Sequence, residues 1–260
     1  MTKKSAEEQL SSLLNTTPVA TQDINYAIIT VTGSDATSFL QSQFTCDLQP
    51  LHETAIPAAY CDRKGKVLCR LHVRKIDSDY QLLVLQTNTN ALVKTLKKYA
   101  LFSKVTIEAD SSPQLIGYVG DTNLLKCGDS TTEWRITDTI TVLQTTEHHL
   151  DSVWSEVMLH ATEIDHNAWQ HALQQAQYIE IEPATSLQFT PQMLGMDKHS
   201  GLCFNKGCYL GQEVIARTEH LGKPKRKLVN FTGDHTETVA INTPIMDSHN
   251  KTVGTLLQIS

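Results

Sequence analysis

The chain has 260 residues, 40% hydrophobic and 19% charged, with a formal net charge of -6, a globular balance with room for more than one core. The acidic sum argues against a surface built to attract phosphate backbones, and no apolar run approaches the roughly 20 residues needed to cross a bilayer. Met1-Thr2-Lys3-Lys4-Ser5-Ala6-Glu7-Glu8 turns from basic to acidic with no apolar stretch, so no secretory signal is read and a cytoplasmic location is expected.

Residues 5 to 14 read as a short amphipathic helix with Leu10, Leu13 and Leu14 on one side. Tyr26 to Thr32 is rich in β-formers and ends at Gly33; Ser34 or Asp35 then stands as a helix N-cap ahead of Phe39 and Leu40. Alternating stretches follow at 54–61, 66–75 and 80–86, separated by Asp62-Arg63-Lys64-Gly65 and Asp77-Ser78-Asp79. Short polar turns of this kind join antiparallel neighbours, so a meander is expected. Asn88 is placed as the cap of a helix through Leu101, with Leu92, Val93, Leu96 and Tyr99 at helical spacing. Strands are expected at 104–109, 114–119, 133–136 and 139–145, then helix over 148–175 with Ile164-Asp165-His166-Asn167 as its breaking point.

A helix from about Gly211 to Leu221 closes this body, and Lys223-Pro224-Lys225-Arg226-Lys227 interrupts the pattern. Three strands are expected beyond Gly222, at 227–232, 237–241 and 252–259. The fold class is α+β: a body over residues 1–222 and a short C-terminal β domain over 223–260.

The six cysteines are Cys46, Cys61, Cys69, Cys127, Cys203 and Cys208. None forms a Cys-x-x-Cys pair and no two pairs have zinc-site spacing, so neither a metal site nor a disulfide scaffold is expected. Cys46, Cys61, Cys69 and Cys127 read as packing residues, and His148-His149 as helix surface.

The most informative stretch is Asn205-Lys206-Gly207-Cys208-Tyr209-Leu210-Gly211-Gln212-Glu213-Val214-Ile215-Ala216-Arg217. A thiol sits between glycines, beside a lysine and ahead of a helix. Glycine allows positive φ and close approach of a ligand, while Lys206 and the helix N-terminus would both favour the Cys208 thiolate. His199 or His220 could act toward it as a base. From the residues alone two readings stay open: a functional thiol, or a glycine-flanked turn around a buried cysteine.

Lys206-Gly207-Cys208-Tyr209-x-Gly211-Gln212-Glu213 resembles the K-G-C-Y-x-G-Q-E signature of the YgfZ folate-binding family at every fixed position. Ile29 to Asp35, Phe39 to Asp47, the Asp62 to Lys66 turn, Leu96 to Val105 and Gln188-Phe189-Thr190-Pro191-Gln192 resemble further family segments in order, so the likeness spans roughly residues 20 to 230. Two departures stand out. Family members often carry tryptophan where this chain has Tyr26, and many continue well beyond its last residue.

The family is related to the aminomethyltransferase of glycine cleavage. The resemblance therefore implies a folate-binding body of antiparallel sheets with helices, followed by a short barrel-like β domain. It implies tetrahydrofolate or a derivative as ligand, with Tyr26 and Trp169 at the folate-lining aromatic positions; without it, Trp169 reads as a core residue of a helix over 165–175. Arg217 could pair with a folate carboxylate or stand as a solvated surface cation. The transferase's acidic residue falls at Leu68 or Cys69, neither of which can act as a carboxylate, with Asp47 or Asp62 as substitutes from elsewhere. The resemblance thus implies an accessory protein that supports iron–sulfur cluster assembly or repair and, through cluster enzymes, tRNA modification. Cys208 would be its functional thiol, Cys203 a neighbour, and iron–sulfur enzymes or assembly proteins its partners. No membrane partner is implied, and the net charge argues against direct tRNA binding through Lys223 to Lys227. The alternative is a tetrahydrofolate-dependent one-carbon (aminomethyl) transferase or demethylase.

Overall fold

The computed structural model describes residues 17–49, 54–110, 112–198, 201–222, 226–230 and 239–257. The helix expected at 5–14 lies outside them, as do His199 and Lys223 to Lys225; of the strand expected at 237–241, residues 239–241 are described and form no strand. In chain order the first elements are β1 (Val19–Thr21), β2 (Tyr26–Thr32), α1 (Ala36–Gln43), β3 (Ile56–Cys61), β4 (Val67–Ile76), β5 (Asp79–Leu85) and α2 (Gln86–Tyr99). Next come β6 (Thr106–Asp110), β7 (Gln114–Val119), β8 (Thr132–Arg135), β9 (Ile140–Thr145), α3 (Leu150–Met158), β10 (Thr162–Glu163) and α4 (His166–Gln175). The chain ends with α5 (Gln212–Leu221), β11 (Pro244–Met246) and β12 (Thr252–Thr255). Contacts between Cα atoms divide it into two compact units, one holding residues 17–25 and 112–178, the other 26–110 and 179–257.

The second unit is built on an antiparallel sheet in the order β3-β4-β5-β2-β6. The expected meander forms because Asp62 folds its turn with its own side chain, Oδ1 accepting from the N–H groups of Lys64 (2.9 Å) and Lys66 (2.8 Å). Asp77 supplies the left-handed residue of the next turn, at φ 52. Strand alternation then assigns the faces. Ala58 and Tyr60 join Ala27, Ile29, Val31, Leu71 and Val73 in a core closed by Phe39 and Leu40 of α1 and Leu92 and Leu96 of α2. Ala59 and Cys61 point the other way, to a second core with Ile179, Ile181, Phe189, Met196, Tyr209 and Ile215.

The first unit has the sheet order β10-β1-β7-β9-β8, with β1 and β10 parallel and the other neighbours antiparallel. Ala20, Ile116, Tyr118 and Leu143 pack there against Val153 and Val157 of α3. The break expected near residue 165 is real: β10 lies between α3 and α4, and the Asp165 carboxylate caps α4 by accepting from Ala168 N–H at 2.9 Å.

Two expectations need correction. Asn88 does not cap α2, which starts earlier; its amide is buried in the first turn and donates to Ile181 O, so tertiary contact overrode the capping preference. No strand forms over 226–230, where the chain reaches the second core through Leu228 instead of a sheet partner. The described C-terminal pairing is β11 with β12 alone, and residues 226–230 and 239–257 group with the second unit. Among the described residues no helix is long and apolar enough to cross a membrane.

Candidate functional site

The signature segment is laid onto the end of α1 by a series of hydrogen bonds within the second unit. Thr45 is the hinge of this contact: its buried hydroxyl donates to Gly201 O at 2.6 Å and accepts from Ala59 N–H at 2.9 Å. Its carbonyl accepts from Cys203 N–H at 2.8 Å. Lys206 then turns its ammonium into the last turn of α1, donating to Gln41 O (2.7 Å), Phe44 O (2.7 Å) and Cys46 O (2.5 Å). Leu210 N–H donates to Ser42 O at 3.2 Å. Burial lowers the Lys206 pKa below the ordinary lysine value.

Tyr209 is the apolar anchor. It is buried in the second core, its ring 5.0 Å from Lys206 Nζ, and burial pushes its phenol pKa upward. Gly211 follows with φ 83 as the N-cap of α5, back to back with Gly65 of the β3–β4 turn at φ 67. A methyl group on Gly211 would stand 2.4 Å from Asp62 O and 2.9 Å from Gly65 Cα, so both backbones come together only because both residues are glycine. Between these anchors lie Gly207, around which there is open space, and Cys208, which is exposed.

Lys206 therefore has a different task from the one read in the sequence. All three of its ammonium N–H groups go to carbonyls, and among the described residues none makes a hydrogen bond or ion pair with Cys208. Of the remaining signature residues, Gln212 Oε1 accepts from Tyr209 N–H at 3.4 Å. Glu213 binds Arg217 at 2.8 Å on the exposed face of α5, a pair one helical turn apart, of a kind worth only about 0.3–0.5 kcal/mol. His220 packs edge-on against Phe204, ring centroids 5.8 Å apart.

The other thiols follow burial. Cys46 is pushed up to about 12, and Cys61 and Cys69 are also raised, in each case chiefly by burial among apolar groups. Cys127 is raised for the same reason, to a smaller degree. Cys69 is enclosed in β4 and Leu68 gives its carbonyl to Ser186 Oγ, so the positions where the transferase acid was sought carry no carboxylate. Asp62 is spent on its own turn, and Asp47 Oδ1 accepts from Gln41 Nε2 at 2.7 Å and Gln49 N–H at 3.1 Å.

The two aromatic positions belong to different units. Tyr26 opens β2 in the second unit with its side chain buried. Trp169 sits on α4 in the first unit at 0% exposure, its indole laid on Gly117 so closely that a methyl there would stand 2.7 Å from the ring. Its Nε1–H is buried without a hydrogen-bond partner among the described residues. An unpaired buried donor costs about 1–3 kcal/mol, so this N–H is an open position for an acceptor. Sequence reasoning missed Thr45 and the carbonyl set at 41–46, whose only signal was the family-like segment Phe39 to Asp47.

No family model matches the chain. It is 31% identical over 247 residues to the tRNA-modifying protein YgfZ of Sodalis glossinidius (strain morsitans), an alignment covering 86% of this chain and 73% of that protein. The chain belongs to the YgfZ family. The YgfZ protein of Blochmanniella pennsylvanica (strain BPEN) is 30% identical over 263 residues, covering 90% of this chain and 80% of its own. Among solved structures, the glycine cleavage system aminomethyltransferase T from Bartonella henselae matches with a TM-score of 0.70 at 13% identity, over 95% of this chain and 76% of that one. This YgfZ chain thus has the aminomethyltransferase fold, an α+β arrangement of antiparallel sheets and helices with a short strand pair near its C-terminus.

Proposed function

We propose that this YgfZ-family chain is a cytoplasmic folate-binding accessory protein that uses the Cys208 thiol to support iron–sulfur cluster assembly or repair. Through cluster enzymes it would serve tRNA modification, in keeping with its relatives, which are tRNA-modifying YgfZ proteins. The observation that carries this reading is the signature loop itself. Its reactive side chain is an exposed thiol, while positions 68 and 69 hold no carboxylate. A single thiolate supplies one ligand where a resident cluster usually takes four, which suits a cluster or a partner's sulfur in transit. Among the described residues no three His, Cys, Asp or Glu side chains gather as a metal-ligand set.

Folate fits the residues present. In the first unit the unpaired Nε1–H of Trp169 would donate to a pteridine acceptor. Bound tetrahydrofolate would supply a one-carbon carrier. Arg217, already engaged by Glu213, would have to exchange that carboxylate for one of folate.

Titration with tetrahydrofolate, followed by indole fluorescence in wild type and Trp169→Phe, tests the ligand. Quenching in the wild type, with weaker binding and little quenching in the variant, is expected. Equal binding by both proteins would remove Trp169 from the site, and no binding by either would remove folate. The transferase alternative makes the opposite prediction in a reconstituted glycine-cleavage assay. With no carboxylate at 68 or 69, no tetrahydrofolate-dependent ammonia release is expected, and robust release would restore that reading.

A further inference from the structure

The carbonyls at the end of a helix have no partner within it, and they form the negative pole of its dipole. Where α1 ends, Gln41 O in its last turn, Phe44 O at its C-cap and Cys46 O just beyond it converge on Lys206 Nζ. Lys206 lies 160 or more positions away in sequence. An ammonium is a compact charge with three rotatable donors, and here each N–H meets one carbonyl. The planar fork of arginine has no such match to three oxygens converging on a point. Lys206 therefore stands where a small bound cation would otherwise be needed.

Its position in the loop gives that contact a consequence. Upstream, Gly201 and Cys203 are tied to Thr45; downstream, Leu210 N–H is tied to Ser42 O and Gly211 is lodged against Asp62 O. Cys208 is two residues from Lys206 and two from Leu210, with open space around Gly207 and no hydrogen bond of its side chain among the described residues. An exposed side chain cannot fix its own location, so the anchors must do so.

We infer that Lys206 is a positioning residue for the Cys208 thiol, acting as a built-in cation that clamps the signature loop to the carbonyl end of α1. This deepens the thiol reading above and rests on it. The clamp leaves Lys206 no free N–H with which to pair a thiolate or move a proton. Its contribution to function is the place and stillness of the loop. The same clamp explains why the segments Phe39 to Asp47 and Lys206 to Glu213 act as one unit although most of the chain separates them.

The test uses the full chain and amide hydrogen exchange. Lys206→Ala should speed exchange of the Cys203 and Leu210 N–H groups, which donate to Thr45 O and Ser42 O, by about tenfold or more, while amides of β4 and β5 keep their protection. Added ethylammonium should restore the lost protection by refilling the carbonyl cage, and Lys206→Arg should behave like the alanine variant. Should Lys206→Ala fail to fold, Lys206→Met, which keeps the stem and removes only the donors, replaces it. In cells, Lys206→Ala should lose support of cluster enzymes as fully as Cys208→Ala. Unchanged exchange at Cys203 and Leu210, loss spread equally over the β3–β5 sheet, or full cellular function with a loosened loop would each overturn the inference. If instead Cys208→Ala keeps full function, the thiol reading fails on its own, and the exchange data still judge the clamp.

Discussion

Replacing Gly211 by alanine should destabilise the protein by about 3 kcal/mol or more, the largest effect expected of any single methyl group near the signature. Two costs add. An L-residue held at φ 83 pays roughly 1–2 kcal/mol for the left-handed conformation. The new methyl would also stand 2.4 Å from Asp62 O and 2.9 Å from Gly65 Cα, both backbone atoms that cannot swing aside, and overpacking of this kind costs about 1–3 kcal/mol more. At roughly 2–4 °C per kcal/mol for a chain of this size, Tm should fall by about 6–12 °C. Thermal unfolding measures it directly, with Gly207→Ala as the comparison. Gly207 has nothing within 4 Å of where its methyl would stand, so that variant should stay near the wild-type Tm. Equal behaviour of the two variants would show that the Gly65–Gly211 contact contributes little to the fold.

Cys208→Ser should give the reverse pattern, with function in cells lost and stability kept. The side chain is exposed and makes no hydrogen bond among the described residues, so a change within about 0.5 kcal/mol is expected from the substitution. Native-state alkylation with mass mapping gives an independent reading at mildly alkaline pH. Cys208 should be modified first among the six thiols. Cys46, Cys61 and Cys69 should stay unmodified until the protein unfolds, because burial both closes them off and pushes their pKa values up, Cys46 to about 12. A serine variant that unfolds easily yet supports cluster enzymes would mark Cys208 as a packing residue.

Local elements were legible where one local signal was enough. β2 begins and ends where its β-rich run does, at Tyr26 and Thr32, because Gly33 stops the pattern. The meander could be read because Asp62 folds its turn from its own side chain. Asp165 marked the start of α4 because capping lies within three residues of chain. Asn88 carried the same kind of signal and misled, since its amide found a better acceptor at Ile181 than at the helix end. The strand expected from 227 is absent over 226–230, where Leu228 packs against the second core.

The amino-acid sequence by itself determined the family and the antiparallel α+β class, because motifs, periodicity and turn chemistry are all local. It also showed that Leu68 and Cys69 carry no carboxylate, which is a matter of residue identity alone. Only the tertiary structure decided what the lysine beside the thiol does. Read locally, Lys206 is a cation two residues from Cys208 and ready to favour its thiolate; in the fold its ammonium is turned away into the carbonyls of Gln41, Phe44 and Cys46. That choice depends on backbone oxygens whose direction is set by where α1 ends and how the chain returns to it. Backbone carbonyls are the same at every residue, so no side-chain pattern records where they converge.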